Sequence, residues 1–333
     1  MKAFIIDRYG KSVSGRIADM PEPEMREDDV LIQVHAASVN ALDLKLKSGA
    51  FKLILPYRLP LILGNDLAGT VIRVGARVRS FQPGDEVYAR PDDDRIGSFA
   101  ERIAVKESSV ALKPRNIGMV EAASLPLVAL TAWQTLVDTA QLKKGQKVFI
   151  QAGSGGVGSI AIQLARHLGA SVATTTSTAN VDWVKALGAD VVIDYKQQDF
   201  TAVLRDYDVA LNSLGEATLG QSLQILRPGG HLVSISGPPT PAFAAARGLG
   251  WPLTQVLRLL SFGIRNKARK IGGQYSFVFM RAQGAQLSEI TALVESGAIH
   301  PVVDKVFPFS DIDKALAYVD SGRAKGKVVV QIP

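Results

Sequence analysis

From the first residue to about residue 115, apolar positions come in short β-branched runs. The stretches "KAFIID", "DVLIQVHAASV", "AGTVIRVG", "DEVYA", "AERIAVK" and "SVALKP" are bounded by Gly, Pro or Asp and read as strands. Turn signals such as "QPGDE" and "PDDD" separate them. That spacing predicts a compact antiparallel, barrel-like unit. The pattern changes at "MVEAASLPLVALTAWQTLVD", where apolar residues take helical spacing. From residue 147, strand-like "KVFIQ", "SVATT", "DVVID", "DVALN" and "HLVSIS" alternate with helical "SIAIQLARHLG", "VDWVKALG" and "TLGQSLQIL". Alternation of this kind predicts a parallel sheet with helices on both faces. An apolar helix and the strand "SFVFM" follow "ISGPPTP", and the tail alternates again as far as "KGKVVVQI".

Composition narrows the chemistry. Hydrophobic residues are 47% of 333, enough for a substantial core, and there is no cysteine. That removes disulfides, zinc ribbons, thiolate metal sites and a cysteine nucleophile together. His35, His167, His231 and His300 show no ligand spacing, so no metal is expected. The opening "MKAFIIDRYG" is a strand pattern rather than a secretory signal, and "GLGWPLTQVLRLLSFGI" is interrupted by Pro252 and Arg258. The expectation is a soluble, cytoplasmic protein. The net charge of +7 is either solubility charge or attraction for an anionic cofactor, nucleic acid or membrane. No arginine-rich tract with exposed aromatics is visible, so no nucleic acid partner is expected.

The strongest motif is "KVFIQAGSGGVGSIAIQLAR". A buried strand runs into Gly153-Ser154-Gly155-Gly156-Val157-Gly158, and a long apolar helix follows. Glycine permits the tight turn and close backbone approach to a pyrophosphate, while the helix N-terminus supplies N–H groups and partial positive charge. About 20 residues on, an acid would hold the ribose 2′-hydroxyl of NAD. Here the stretch is "TTTSTAN", Thr174 to Asn180, with no carboxylate; Thr176, Ser177 and Thr178 are hydroxyls that can face a 2′-phosphate. NADPH is therefore the expected cofactor, with a strand-end cap as the bland alternative for these residues.

In order along the chain, "ASVNALDLKLKSG", "LGNDLAGTVIRVGARVRSFQPGDEVYA", "GSFAERIAVK", "AASLPLVALTAW" and the phosphate loop resemble the medium-chain dehydrogenase/reductase pattern. Within it the chain is similar to the zinc-independent quinone oxidoreductase branch. That subgroup includes the chloroplast envelope quinone oxidoreductase homologue, alkenal/enone reductases and the reticulon-interacting mitochondrial protein. The resemblance implies an α/β fold: a Rossmann doubly wound parallel sheet domain, residues 126–281, and a GroES-like β-barrel catalytic domain, residues 1–125 and 282–333. It implies an NADPH-dependent transfer of hydride to a quinone or an α,β-unsaturated carbonyl, by a homodimer. The alternative is an NADPH-binding redox sensor or partner-binding protein with little turnover.

By the same resemblance, Asn40, Asn65 and Asp66 stand where zinc alcohol dehydrogenases carry a cysteine and a histidine–glutamate pair. "LGNDLAG" is then the site of a lost metal, or a plain turn with Asp66 pairing an arginine. Asn40 is expected to donate its amide to the substrate oxygen and Asp43 to orient neighbours; for both, a loop-stabilising role is equally open. Thr131 is expected to meet the nicotinamide. Tyr195 is expected beside the adenosine phosphate, and Leu214, Gly237, Phe277 and Phe279 pass the cofactor. Lys327 is expected near it. Related reductases often carry a tyrosine where this chain has Phe51, so Tyr57 or solvent would supply the proton. The lysine some relatives place near the 2′-phosphate is Asn180 here. The run "WPLTQVLRLLSFGIRNKARK" reads as one basic amphipathic helix with a stripe of Leu253, Val256, Leu257 and Leu260. A cover over the active site or a dimer contact is preferred for it over a membrane surface.

Overall fold

A computed structural model describes residues 1–52 and 54–333. The early β-branched runs form β1 (Lys2–Ile6), β2 (Arg16–Asp19), β3 (Asp29–Val39), β4 (Leu61–Ile62), β5 (Leu67–Val74), β6 (Glu86–Ala89), β7 (Arg102–Lys106) and β8 (Val110–Leu112). The alternating region supplies β9 (Lys147–Ile150), β10 (Ser171–Thr176), β11 (Val191–Asp194), β12 (Tyr207–Asn212), β13 (Leu226–Ser234) and β14 (Gln274–Phe277). The tail adds β15 (Val303–Pro308) and β16 (Lys327–Gln331). These strands belong to two compact units. One is Met1–Leu130 with Arg281–Pro333; the other is Thr131–Met280.

In the first unit, β2-β1-β4 make a small sheet and β15-β16-β3-β5-β6-β8 a larger one, with β7 also paired to β3. Strand β3 is buried along nearly its whole length because strands flank it on every side it can pair. The tail returns to this unit: β16 lies antiparallel to β3, with Val328 opposite Val39. Tyr88 ties the helix Gly284–Glu295 to β6, its buried hydroxyl donating to the Leu287 carbonyl at 2.6 Å. A buried Asp29 accepts from Arg95 at 2.5 Å.

The second unit is a parallel sheet in the order β11-β10-β9-β12-β13-β14. Counted from its own first strand, β9, this is 3-2-1-4-5-6, the doubly wound dinucleotide-binding order. Its core gathers Phe149, Ala173, Ile193, Leu223 and Leu232, with Phe149 and Phe200 stacked at 4.6 Å. Each such leucine, isoleucine or phenylalanine, fully buried, contributes about 1.5–3 kcal/mol.

Two elements differ from the sequence reading. The helical stretch at 119–138 is broken into Met119–Ala123 and Pro126–Trp133, continuing as a π-helical turn Gln134–Thr139. Pro126 has no N–H to give the preceding turn, so it starts a helix rather than continuing one. The basic run is two helices, Trp251–Leu260 and Phe262–Lys270, meeting at the buried Ser261. Its expected stripe is also split: Leu257 is buried, whereas Val256 and Leu260 are exposed.

Close packing of β3 on β5 requires Gly69. A Cβ there would stand 2.0 Å from the Gln33 carbonyl oxygen, a backbone atom that cannot swing away. Gly69→Ala is expected to lower the unfolding free energy by about 1–3 kcal/mol. Urea denaturation at constant pH checks this; an unchanged midpoint would refute it.

Candidate functional site

The phosphate loop leaves β9 at Ile150 and enters the helix Gly156–His167 with Gly155 as its N-cap. Two of its glycines are dictated by packing. At Gly158 a Cβ would lie 2.2 Å from the Ala152 carbonyl oxygen, and at Gly153 it would lie 2.3 Å from the Thr174 hydroxyl. At Gly155 a Cβ would meet the Ala152 carbonyl oxygen at 3.3 Å, a tight contact rather than a clash. Ala152 takes φ +54°, a left-handed conformation costly for any residue with a Cβ. Its N–H is held by the Thr175 hydroxyl at 3.2 Å, and that of Gly153 by the Thr175 carbonyl at 2.9 Å. Ser154, Gly155, Gly156 and Val157 are thus presented half-buried at a helix N-terminus, where N–H groups and the helix dipole favour an anion.

The end of β10 supplies the next group. Thr176 is buried, and its hydroxyl has no hydrogen-bond partner in the protein. Ser177 accepts from the Asn180 amide at 3.1 Å, and the Asn180 oxygen accepts from the Trp183 indole. Thr178 instead donates to Asp194 at 2.6 Å. Asp194 ends β11 opposite Thr176, and the Thr178 hydroxyl, with Lys196 behind it, holds its carboxyl below the usual range. Tyr195 follows it, 60% exposed. No sequence signal singled out Asp194, because it sits on the strand after the one that usually carries the ribose acid.

Three loops on the same rim of the sheet are tied by a buried amide network. The Asn212 amide donates to Gln151 Oε1 at 3.0 Å and to the Thr218 hydroxyl at 2.8 Å. Ser234 donates to Asn212 Oδ1 at 2.7 Å and in turn accepts the Gly237 N–H at 2.8 Å. Gly237 is confined, since a Cβ would meet the Tyr275 hydroxyl at 2.7 Å. Leu214 is 56% exposed on the loop after β12. Phe277 and Phe279 pack against Phe243, with ring centroids at 5.3 and 5.9 Å, and the Arg247 guanidinium lies 4.6 Å over Phe279. The expected phosphate-loop, Thr176, Ser177, Leu214, Gly237 and Phe277 positions therefore share the carboxyl ends of the parallel strands, where such sheets bind ligands. Gln151, Asn212 and Ser234 were not legible as site residues; only their recurrence at strand ends could have flagged them.

A second cluster lies in the first unit, at the end of β3. Asn40 caps the helix Ala41–Ser48, and its N–H donates to Asp43 at 2.7 Å. Asn65 donates to the other Asp43 oxygen at 2.7 Å. Asp66 accepts from Ser38 at 2.6 Å, from the Asn40 amide at 2.9 Å and from the Leu127 N–H at 2.7 Å. The Lys327 ammonium donates to the Val39 carbonyl and to Asn40 Oδ1, and lies 3.5 Å from Asp66. All are buried. Burial pushes the Asp43 carboxyl up to about 6, opposed by its bonds from Asn65 and Asn40. Burial also lowers the Lys327 pKa, against the attraction of Asp66 and Asp43.

This geometry revises several expectations. Asn40 does not present a free amide: its N–H groups serve Asp66 and the Ser38 carbonyl. Asp66 pairs a lysine, not an arginine. Lys327 points into the cluster, because β16 is antiparallel to β3 and delivers its ammonium beside Asn40. The Tyr57 hydroxyl donates to the Asp93 carbonyl at 2.5 Å, so its proton is engaged within the unit. Thr131 is buried, its carbonyl accepting from Thr135 at 2.6 Å.

The raised Asp43 value has a pH signature. Between about pH 4 and 6 the folded chain keeps a proton that the unfolded chain releases, so stability falls as pH rises through that window. The loss totals about 2–3 kcal/mol. Urea denaturation across this range should show that fall in the wild type relative to Asp43→Asn; parallel profiles would refute it.

Two family matches cover most of the chain: the alcohol dehydrogenase GroES-like domain over residues 26–115 and the zinc-binding dehydrogenase family over residues 187–330. Among curated relatives, the 2-methylene-furan-3-one reductase of Solanum lycopersicum is 36% identical over 342 residues, covering 99% of this chain and 79% of that protein. The chloroplastic NADPH-dependent alkenal/one oxidoreductase of Arabidopsis thaliana is 36% identical over 341 residues with the same coverage. The solved structure of the quinone oxidoreductase from Coxiella burnetii superposes with a TM-score of 0.87 at 29% identity, covering 100% of this chain and 99% of that one. The metal in the second family's description meets a poor donor set here. Asn40 and Asn65 offer amides, Asn40 Oδ1 already receives an ammonium, and no group of three His, Cys, Asp or Glu able to hold an ion occurs among the described residues. Relatedness of this extent places the chain in the medium-chain dehydrogenase/reductase superfamily.

Proposed function

We propose that this chain is a reductase that uses NADPH to reduce a quinone or an α,β-unsaturated carbonyl compound, without zinc. The observation that carries the reading is the state of the polar groups. The phosphate loop and the unpartnered Thr176 hydroxyl fit a phosphorylated dinucleotide, while Asn40 and Tyr57 have their hydrogens engaged. Engaged proton donors at Asn40 and Tyr57, and amides that make poor metal ligands at Asn40 and Asn65, suit acceptors that are activated by conjugation. The names of the tomato, Arabidopsis and Coxiella relatives support the same acceptor classes.

When bound, NADPH supplies the hydride. The N–H groups of Gly156 and Val157, at the helix start, would hold its pyrophosphate; the Gly155 N–H instead donates to the Ala152 carbonyl at 2.9 Å, and with Gly153 it keeps the turn tight enough for that approach. Thr176 and Ser177 would meet the 2′-phosphate, whereas the carboxylate of Asp194 would work against it. Gly237, Phe277 and Leu214 would flank the cofactor from the neighbouring loops, and Tyr195 would stand by its adenosine end. In the other unit Lys327 supplies positive charge beside two buried carboxylates, the neutral Asn40 amide donates a hydrogen bond to Asp66, and Asp43 fixes the turn that carries Asn40.

NADPH is expected to be preferred to NADH. A charge-assisted hydrogen bond contributes about 1.5–3 kcal/mol, and one such bond corresponds to roughly tenfold to a hundredfold discrimination. The carboxylate of Asp194 and the neutral Asn180 set the expectation at the lower end. Ser177→Asp should erase the preference, measured as kcat/KM for both cofactors at fixed ionic strength. Equal or better use of NADH by the wild type would overturn the assignment.

Activity is also expected to survive dialysis against a strong chelator, because the positive charge beside Asp66 belongs to Lys327. Elemental analysis that found a tightly held zinc in each chain, with activity lost on its removal, would refute this.

A further inference from the structure

Residues 217–288 contain eight Lys and Arg and no Asp or Glu. With a net charge of +7 for the whole chain, the remaining residues are close to neutral. The cationic character is therefore local. Near its centre lie the helices Trp251–Leu260 and Phe262–Lys270, whose inner face is Leu257, Ser261, Ile264 and Ala268, all buried. Large apolar side chains are exposed around the first helix and at the start of the second. Trp251 is 75% exposed, Leu259 76%, Leu260 61% and Phe262 59%. Arg258 is exposed within this run, and Lys267, Arg269 and Lys270 are exposed on the helix that follows.

Isolated exposed apolar residues are ordinary, but a run of this size within twelve residues marks an interaction surface. We infer that this face docks on an anionic lipid surface, with Trp251, Leu259, Leu260 and Phe262 entering the headgroup–acyl boundary and the cations contacting lipid phosphates and carboxylates. Two properties select that occupant. Large apolar side chains with cations beside them are the signature of a helix lying in the interface plane, and a segment without acids complements a negative surface. A second copy in a two-fold contact would bring the same cationic patch against itself, which repels. The helices are too short to span: no helix among the described residues is long and apolar enough to cross a membrane. Lipid docking here is independent of which acceptor is reduced.

Flotation of the full chain with phosphatidylcholine vesicles, with and without phosphatidylserine, tests this. Binding is expected to the anionic vesicles at low salt, falling on the order of tenfold at high salt as screening shortens the attraction. Trp251 fluorescence should shift to the blue and be quenched by brominated lipid, a signal absent in Trp251→Phe. The double substitution Leu259→Glu with Phe262→Glu should reduce binding at least about tenfold while leaving the NADPH oxidation rate and circular dichroism unchanged. Arg269→Ala with Lys270→Ala, which keeps the apolar set, should weaken only the anionic binding. Failure to float at low salt would overturn the inference. So would equal binding by the Glu variant, capture by polyglutamate in place of vesicles, or a loss of dimer in light scattering by the Glu variant without lipid binding.

Discussion

One carboxylate holds the first unit's polar interior together. Asp66 has no exposure, and an isolated ion there would cost several kcal/mol of lost hydration. Ser38 and Asn40 from the end of β3, the Leu127 N–H from a helix and Lys327 from β16 all approach it. The end of β3, the loop before β5, the helix Pro126–Trp133 and the start of β16 are thereby held at one point. Removing any one donor would leave charge or hydrogen-bonding capacity unmet in a place water does not reach, which is why the cluster behaves as a unit rather than as separate pairs.

The second unit uses neutral groups for a comparable purpose. Gln151, Asn212 and Ser234 sit at the ends of adjacent parallel strands, and their amides and hydroxyl close a network that fixes three loops. An amide can donate and accept at once, so such a network is satisfied without any net charge. Neutrality matters on this rim, because a fixed cation or anion would compete with whatever the phosphate loop binds. Asp194 is the exception, and Thr178 and Lys196 offset it.

Much of the fold was readable because its signals are local. The glycine loop between an apolar strand and an apolar helix, and the alternation after residue 147, each lie within a few tens of residues. The misread features depend on partners far along the chain. Whether the Asn40 amide is free is decided by Asp66, 26 residues away, and the direction of Lys327 by a strand 287 residues earlier. Residue identity says that Tyr57 has a proton; only the position of Asp93 shows where it goes. Periodicity likewise found an apolar stripe near residue 257 without showing that Leu257 faces inward while Leu259 faces water. Pro126 was the one local signal overlooked, a helix start inside a helical pattern.

The route of the chain has a consequence for the order in which it is assembled. Asp66 and Lys327 are 261 residues apart, and the whole of the second unit lies between them. At ~5–20 residues per second, a ribosome takes on the order of tens of seconds to cross that distance. During that interval Thr131–Met280 emerges as an uninterrupted segment and can fold, while two carboxylates of the first unit wait without their cation. Until Lys327 emerges, Asp43 and Asp66 must stay hydrated, so the strands around them cannot close over a dry interior. The unit whose synthesis begins first is the one that finishes last.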